Sequence, residues 1–417
     1  MENIIEITYQ KAIEILKKNI TRKGFTASSE NIANYHSIWA RDHSICSIAA
    51  VLTSDSELIK CAKDGLFFLL NKQIDHGQVP SYVEIESKKK IYGGLGSITT
   101  IDSNMWIVIA CAIFYKKTNE KRFISTLNTG RYKRFYRLFK AFDSNDCGLM
   151  EVHIASDWAD IMNRTYHVLY DQCLYYESLR ALQYLFANHI DKISHDNPSI
   201  QIAALRRLKW VSKRKPKVKR KINSVLWFDS KNIDKIKEEY LIYDDIPKKS
   251  YSYYQSHVMP FKHEWSQRFD TFGNLLAVLT KIANSRRRNK IVNYVVKEKI
   301  NKPFPIKALS PPIFKKDKDW ERIYDIKDKP YTYHNAGIWP MLSGFWINAL
   351  MKANKPELAK TELLQLAKLL KKEKYTFHEY MNGKSSKSMG TPYQAWSAAG
   401  YIIAYHSVKS NVNLFDF

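Results

Sequence analysis

Apolar residues recur every three to four positions in segment after segment of this chain, from its first residues to its last, and that period restricts the fold more than any motif does. Ile4 to Leu16, Ile45 to Leu52, Leu58 to Leu70, Met105 to Tyr115, Cys173 to Phe186, Phe272 to Ile282, Ile338 to Met351, Leu358 to Leu370 and Tyr393 to Tyr405 each read as a helix. Weaker signals near 131–142, 199–209 and 289–298 bring the expectation to about a dozen helices. Turn formers separate them, as at Asp75-His76-Gly77-Gln78-Val79-Pro80 and Asp143-Ser144-Asn145-Asp146-Cys147-Gly148. Alternating strands are scarce, and candidates such as Val79 to Ile85 and Leu226 to Phe228 are too short for a parallel sheet. Helices paired in sequence predict an all-α toroid of helical hairpins. An open α-solenoid has the same local pattern, but the chain lacks the fixed-period self-similarity of a repeat scaffold.

With 417 residues, 45% of them hydrophobic, the chain has the material for a large core. We expect one catalytic domain over residues 1–417, with a basic insertion between helices around 206–250. The formal charge of +25 is high, and its densest run, Arg206 to Lys221, is expected in an inter-helix loop. Such a run can hold phosphate backbones by counterion release. Because lysine is spread along the whole chain and no nucleic-acid module accompanies the run, nucleic acid is not the expected partner. Five cysteines, Cys46, Cys61, Cys111, Cys147 and Cys173, form no CxxC pair and read as free thiols of a reducing compartment. No run of about 18 uncharged apolar residues is present and the first residues lack signal-peptide order, so no membrane association is expected and the reading is a cytoplasmic protein.

The turns ahead of the apolar helices carry Trp, Tyr, Arg and Asp together: Ile38-Trp39-Ala40-Arg41-Asp42-His43, Ile101-Asp102-Ser103-Asn104-Met105-Trp106, Ser156-Asp157-Trp158-Ala159-Asp160 and His263-Glu264-Trp265-Ser266-Gln267-Arg268-Phe269-Asp270. Three more close the chain: Tyr333-His334-Asn335-Ala336-Gly337-Ile338-Trp339-Pro340, Phe377-His378-Glu379-Tyr380 and Gly390-Thr391-Pro392-Tyr393-Gln394-Ala395-Trp396. If successive helix starts face one side, these turns line one acidic, aromatic pocket, as a sugar site requires. Glycoside hydrolysis needs two carboxyl groups, one protonated to assist the leaving oxygen and one ionised to activate water or attack the sugar. Asp160 is the candidate acid, since Trp158 supplies an apolar wall that raises a carboxyl pKa and Arg164 is spaced to orient the sugar. Asp157, on the other side of Trp158, competes with it for that role and also reads as a helix cap. Glu379 is the candidate base, with His378 or Lys384 expected to hold it ionised.

Trp39, Trp106, Trp158, Trp339 and Trp396 are candidates for stacking on sugar faces, although aromatic residues on helices more often pack a core. Arg41, Asp42, Asp102, His334, Asn335 and Gln394 would clamp hydroxyl groups, with helix capping the competing role for Asp42 and Asp102. The chain has no Walker loop, no dinucleotide fingerprint after a strand, no H-E-x-x-H and no G-x-S-x-G. Gly93-Gly94-Leu95-Gly96 reads as a flexible loop near the pocket mouth. The chemistry calls for no metal and no organic cofactor, and a small saccharide or glucoside is the expected partner.

Six motifs in order, Trp39-Ala40-Arg41-Asp42, Ser156 to Asp160, Arg268-Phe269-Asp270-Thr271-Phe272-Gly273-Asn274, Leu309-Ser310-Pro311-Pro312, Tyr333 to Pro340 and Gln394-Ala395-Trp396-Ser397-Ala398-Ala399-Gly400, span about residues 35 to 406. In them the chain resembles the amylo-α-1,6-glucosidase-like proteins related to the alkaline/neutral invertases. The resemblance implies an (α/α)6 barrel and an inverting glycosidase acting on sucrose or an α-1,6-glucoside. Asp160 matches the family's general-acid aspartate and Glu379 its general-base glutamate, while Ala336 stands where glycine is common. A sugar epimerase or lyase on the same barrel, or a non-catalytic polyanion-binding helical protein, are the alternatives.

Overall fold

The computed structural model describes residues 2–120, 129–190, 198–243, 246–261 and 267–416. Glu264 and Trp265 of the fourth aromatic turn lie outside the described residues. Six helices form an inner ring: α2 (Ala40–Thr53), α4 (Asp102–Thr118), α6 (Leu169–Ile190), α9 (Thr271–Leu279), α11 (Pro340–Lys352) and α13 (Ala395–Ser410). Each packs on the next, and α13 returns to α2, so the ring is closed. Around it lie α1 (Glu2–Lys18), α3 (Ser56–Leu70), α5 (Thr129–Phe142), α7 (Pro198–Val225), α10 (Ser285–Lys297) and α12 (Pro356–Lys372), with a short α8 (Ile233–Tyr240) beyond α7. This is the expected (α/α)6 barrel.

Burial separates the two rings. Every residue of α2 from Ala40 to Val51, of α4 from Asp102 to Tyr115 and of α11 from Pro340 to Leu350 is buried, because an inner helix has neighbours on all sides. An outer helix such as α12 buries only one stripe, including Leu363, Leu366 and Leu370. The ring closes tightly where α11 meets α13. A Cβ added at Gly344 would stand 2.1 Å from the Gly400 carbonyl oxygen, so the two backbones touch through paired glycines.

Short antiparallel pairs fasten the loops at the N-terminal ends of the inner helices. Ser37–Trp39 runs into α2 and pairs with Tyr82–Glu84; His167–Val168 runs into α6 and pairs with His257–Val258; Phe269–Asp270 runs into α9 and pairs with Leu309–Ser310. The candidate strand at Val79 to Ile85 is thus found as Tyr82–Glu84. Leu226 to Phe228 is not a strand: all three residues are buried in the turn that follows α7. Nor is the basic run Arg206 to Lys221 a loop. It lies within α7, because Ala204, Val211, Val218, Ile222 and Val225 recur at helical spacing and are buried. Pro216 is tolerated there because it and Ser212, whose carbonyl it leaves unpaired, both face solvent, where water replaces the missing bond. The sequence pattern also passed over α8, a single two-turn helix that buries Ile233, Ile236 and Tyr240. Among the described residues no helix is long and apolar enough to cross a membrane.

Candidate active site

A cavity of about 470 Å³ opens at the N-terminal ends of the inner helices. The start of α2 supplies Trp39, Arg41 and Asp42, the cap of α11 supplies Trp339, and the first turn of α13 supplies Trp396. The loops between helices add Tyr35, Tyr82, Gly94, Leu95, Trp158, Asp160, Lys327, Tyr333, His334 and Glu379. The floor is aromatic. His334 stacks on Trp339 with ring centroids 5.2 Å apart, Trp158 meets both edge-on, and Trp396 meets Trp339 edge-on. Burial, reinforced by the Arg164 and Arg41 charges, lowers the His334 pKa far below the usual range, so its imidazole is neutral. At the mouth, Trp39 stacks on Tyr82 at 4.3 Å, and its indole donates to the Asn34 carbonyl.

Three cavity carboxyl groups are pushed up by burial. Asp160 rises to about 6, against the opposing pull of Arg41 and Lys327 and of a 3.3 Å hydrogen bond donated by the Tyr333 hydroxyl. Asp42 rises to about 6, with Arg41 opposing. Glu379 rises to about 7; the Tyr35 hydroxyl, donating at 2.9 Å, and a backbone hydrogen bond at Thr391 hold it back, while the Asp160 charge adds to the rise. The expectation that His378 or Lys384 keeps Glu379 ionised is therefore wrong. His378 turns away to Glu373 and Thr376, Lys384 belongs to an exposed turn, and desolvation dominates. Gly390 is shaped to Glu379: its φ is +72°, and a Cβ there would lie 2.4 Å from the Glu379 Oε2.

Of the residues singled out by sequence, Trp39, Arg41, Asp42, Trp158, Asp160, His334, Trp339, Glu379 and Trp396 line this one cavity. Asp102, Arg164, Asn335 and Gln394 do not. Asp102 is fully buried behind the wall, holding Arg41 at 2.7 Å and accepting from Tyr170 at 3.0 Å. Arg164 bridges Asp157 at 3.0 Å and Asp270 at 3.1 Å. Asn335 pins its own loop, receiving the Ile313 amide and donating to the carbonyls of Ile313 and Asp328. Gln394 stands at the N-cap position of α13, fully buried, with no side-chain hydrogen bond to the helix. Of the four, Asp102 holds the cavity residue Arg41 and Asn335 fixes the loop that carries Tyr333 and His334, while Arg164 ties together two carboxylates outside the lining. Trp106 is core, its indole donating to the Tyr170 hydroxyl. Asp157 is engaged by Arg164 and by the Ala159 amide and lies outside the lining.

Sequence reasoning missed Tyr35, Tyr82 and Lys327. Tyr35 precedes the Trp39 motif by four residues but meets a carboxylate 344 positions away, a pairing that local pattern does not signal. Gly94 and Leu95 do stand at the cavity, where Gly94 precedes a short 3-10 turn, Leu95–Ser97. Among the described residues no three His, Cys, Asp or Glu side chains are grouped to hold a metal ion.

The sequence profile of the alkaline and neutral invertases matches residues 10–411. Cytosolic invertase 1 of Oryza sativa subsp. japonica is 23% identical over 436 residues, covering 92% of this chain and 73% of its own. A probable alkaline/neutral invertase D of Arabidopsis thaliana is 22% identical over 442 residues, covering 92% and 77%. In structure the chain is similar to a GH63 mannosylglycerate hydrolase from Thermus thermophilus in complex with glucose, with a TM-score of 0.66 at 12% identity over 95% of this chain and 99% of that one. It is also similar to a bacterial glucoamylase complexed with acarbose, with a TM-score of 0.63 at 12% identity over 98% and 56%. The structural likenesses establish the fold, and the match over residues 10–411 establishes the lineage: this chain belongs to the alkaline and neutral invertase family and is a glycoside hydrolase.

Proposed function

We propose that the chain hydrolyses sucrose with inversion at the glucosyl carbon, using Asp160 as general acid and Glu379 as general base. The observation that carries this reading is that these two carboxyl groups, on loops more than 200 residues apart, line one aromatic cavity and that each receives a tyrosine hydroxyl. The sucrose assignment rests on the invertase relatives.

In this mechanism Asp160 gives its proton to the glycosidic oxygen as the bond to the anomeric carbon breaks. Glu379, on the opposite face, takes a proton from water as that water attacks the same carbon, leaving β-glucose and fructose. Positive charge develops on the sugar ring in the transition state, and an ionised Glu379 and Asp42 stabilise it electrostatically. The aromatic floor built from Trp158, His334 and Trp396 closes the glucosyl end of the cavity, while the Trp39–Tyr82 stack at the mouth receives the leaving sugar.

Burial by itself does not favour the productive protonation state. Burial raises Glu379 to about 7 and Asp160 to about 6, so it does not by itself place the shared proton on Asp160. Asp160→Asn and Glu379→Gln should each abolish glucose release from sucrose without unfolding the chain. The first-formed anomer, followed by polarimetry or NMR across sucrose, maltose, isomaltose, trehalose and glucosylglycerate, tests the rest. Retained activity in either variant overturns the residue roles, α-glucose as first product overturns inversion, and preference for another glucoside overturns sucrose.

A further inference from the structure

Helices α5 and α7 hold an uneven share of the charge. α5 carries five basic residues and α7 ten, with no acidic residue in either, so these two neighbouring outer helices account for +15 of the net +25. On α7 the exposed positions fall on one stripe at helical spacing, where Ile202, Leu205, Arg206, Lys209, Lys213 and Arg220 are joined by Ser212, Pro216 and Ser224. From Ile202 to Arg220 the stripe is about 27 Å long at 1.5 Å per residue. Its aliphatic end is open to solvent, with Ile202 50% and Leu205 48% exposed. Carboxylates do reach the flanks of α7, where Arg214 meets Asp143 and Asp146, and Lys221 meets Glu239. The four stripe cations have no carboxylate within 4 Å among the described residues. None of these residues lines the catalytic cavity.

We propose that this face docks the enzyme on an anionic lipid surface. Polyanions of any kind suit the charge, but two features favour lipid over nucleic acid. The aromatic side chains nearby are already occupied: Tyr136 and Trp210 meet edge-to-face at 4.8 Å, and the Lys140 ammonium lies over both rings, so they are not free platforms for stacked bases. What is exposed instead is a pair of aliphatic residues at i and i+3 beside cations, the pattern by which a basic amphipathic helix settles into a headgroup region. The docked enzyme lies on its outer ring, which leaves the cavity, at the N-terminal ends of the inner ring, open to a soluble sugar.

The test is co-sedimentation of the full chain with vesicles of equimolar phosphatidylglycerol and phosphatidylcholine, against vesicles of phosphatidylcholine alone. Binding is expected only to the first, and it should fall steeply between about 0.1 and about 1 M salt, as the screening length shrinks from about 10 to about 3 Å. Each surface cation contributes about fivefold, so the quadruple variant Arg206→Gln, Lys209→Gln, Lys213→Gln and Arg220→Gln should bind several-hundred-fold more weakly. Ile202→Ser with Leu205→Ser should cost about tenfold while leaving the charge intact. Glycoside hydrolysis in solution stays unchanged in both variants, which also reports that they fold. Absence of binding to the anionic vesicles, or binding that survives the quadruple substitution, overturns the proposal. So does tighter binding to duplex RNA that ignores Ile202 and Leu205, which would make the face a nucleic-acid site.

Discussion

Replacing Tyr35 by Phe removes one oxygen, and its consequences follow from the protonation of the two cavity carboxyl groups. The Tyr35 hydroxyl donates to Glu379 Oε1 at 2.9 Å and stabilises the ionised carboxylate. A hydrogen bond to a charged acceptor is worth about 1.5–3 kcal/mol, and one pKa unit is about 1.4 kcal/mol. Tyr35 is only half-buried, so water replaces part of the bond and the lower end of that range applies: Glu379 moves up by about one unit. In the wild type, with Asp160 near 6 and Glu379 near 7, the profile of kcat/KM against pH should have its maximum between those values and fall on either side. In Tyr35→Phe the alkaline limb moves out by about one unit while the acid limb stays. Because the proposed roles put the reactive proton on Asp160 and not on Glu379, the maximum also drops several-fold. A wider but lower profile is the signature, read from initial rates on sucrose at constant ionic strength. A profile unchanged in both width and height would refute the coupling of Tyr35 to Glu379. A loss of height with the alkaline limb in place would mean that Tyr35 only shapes the pocket.

Gly390→Ala should lower kcat on the order of a hundredfold while the chain still folds, since a Cβ there meets the Glu379 carboxylate at 2.4 Å and a displacement of about 1 Å is enough for such a loss; activity within a few-fold of wild type would show that Glu379 need not stand where it does. Glu379→Gln should become relatively more stable as pH rises. The folded wild type retains the Glu379 proton up to about 7, whereas the unfolded chain releases it near 4.5, so this group's contribution is complete below 4.5 and is lost as pH climbs to 7. The glutamine does not titrate, so its advantage in denaturant midpoints should reach the order of 3 kcal/mol at pH 8 and vanish at pH 4; an equal gap at both values counts against the raised pKa. Gly344→Ala should destabilise by about 3 kcal/mol, because the new methyl forces α11 away from the Gly400 carbonyl. An unchanged unfolding midpoint would mean that the ring does not close through these glycines.

The helices were legible as a period, but their starting points were not, and the reason is the site itself. Apolar spacing begins at Ile45, Met105 and Cys173, whereas the helices begin at Ala40, Asp102 and Leu169. The intervening first turns hold Arg41, Asp42 and His43, then Asp102, Ser103 and Asn104, then Asp171 and Gln172, all buried. Polar residues interrupt the apolar pattern because the N-terminal ends of the inner ring surround the cavity, so the period breaks where the pocket starts. Within those turns, sequence does not separate a side chain that faces a sugar from one that fixes its neighbour. Arg41 and Asp102 look alike as polar residues ahead of apolar runs, yet one lines the cavity and the other sits behind it as its 2.7 Å partner. The same holds for His334 and Asn335, adjacent in one motif, of which only the first reaches the pocket.

Ala336 shows that departure from a family pattern does not have to be a departure in the pocket. Its φ of +72° lies in the left-handed region, where glycine is favoured, and a Cβ on Gly383 would meet the Ala336 carbonyl, so this turn is packed backbone to backbone. The alanine methyl is fully buried, and Ala336 is not among the residues that line the cavity. Alanine here trades backbone strain of about 1 kcal/mol against burial of one methyl group, worth about 0.8 kcal/mol. The two nearly cancel. The residue therefore bears on the stability of the loop that carries Tyr333 and His334 and does not itself line the cavity, whereas Tyr35, Tyr82 and Lys327 do.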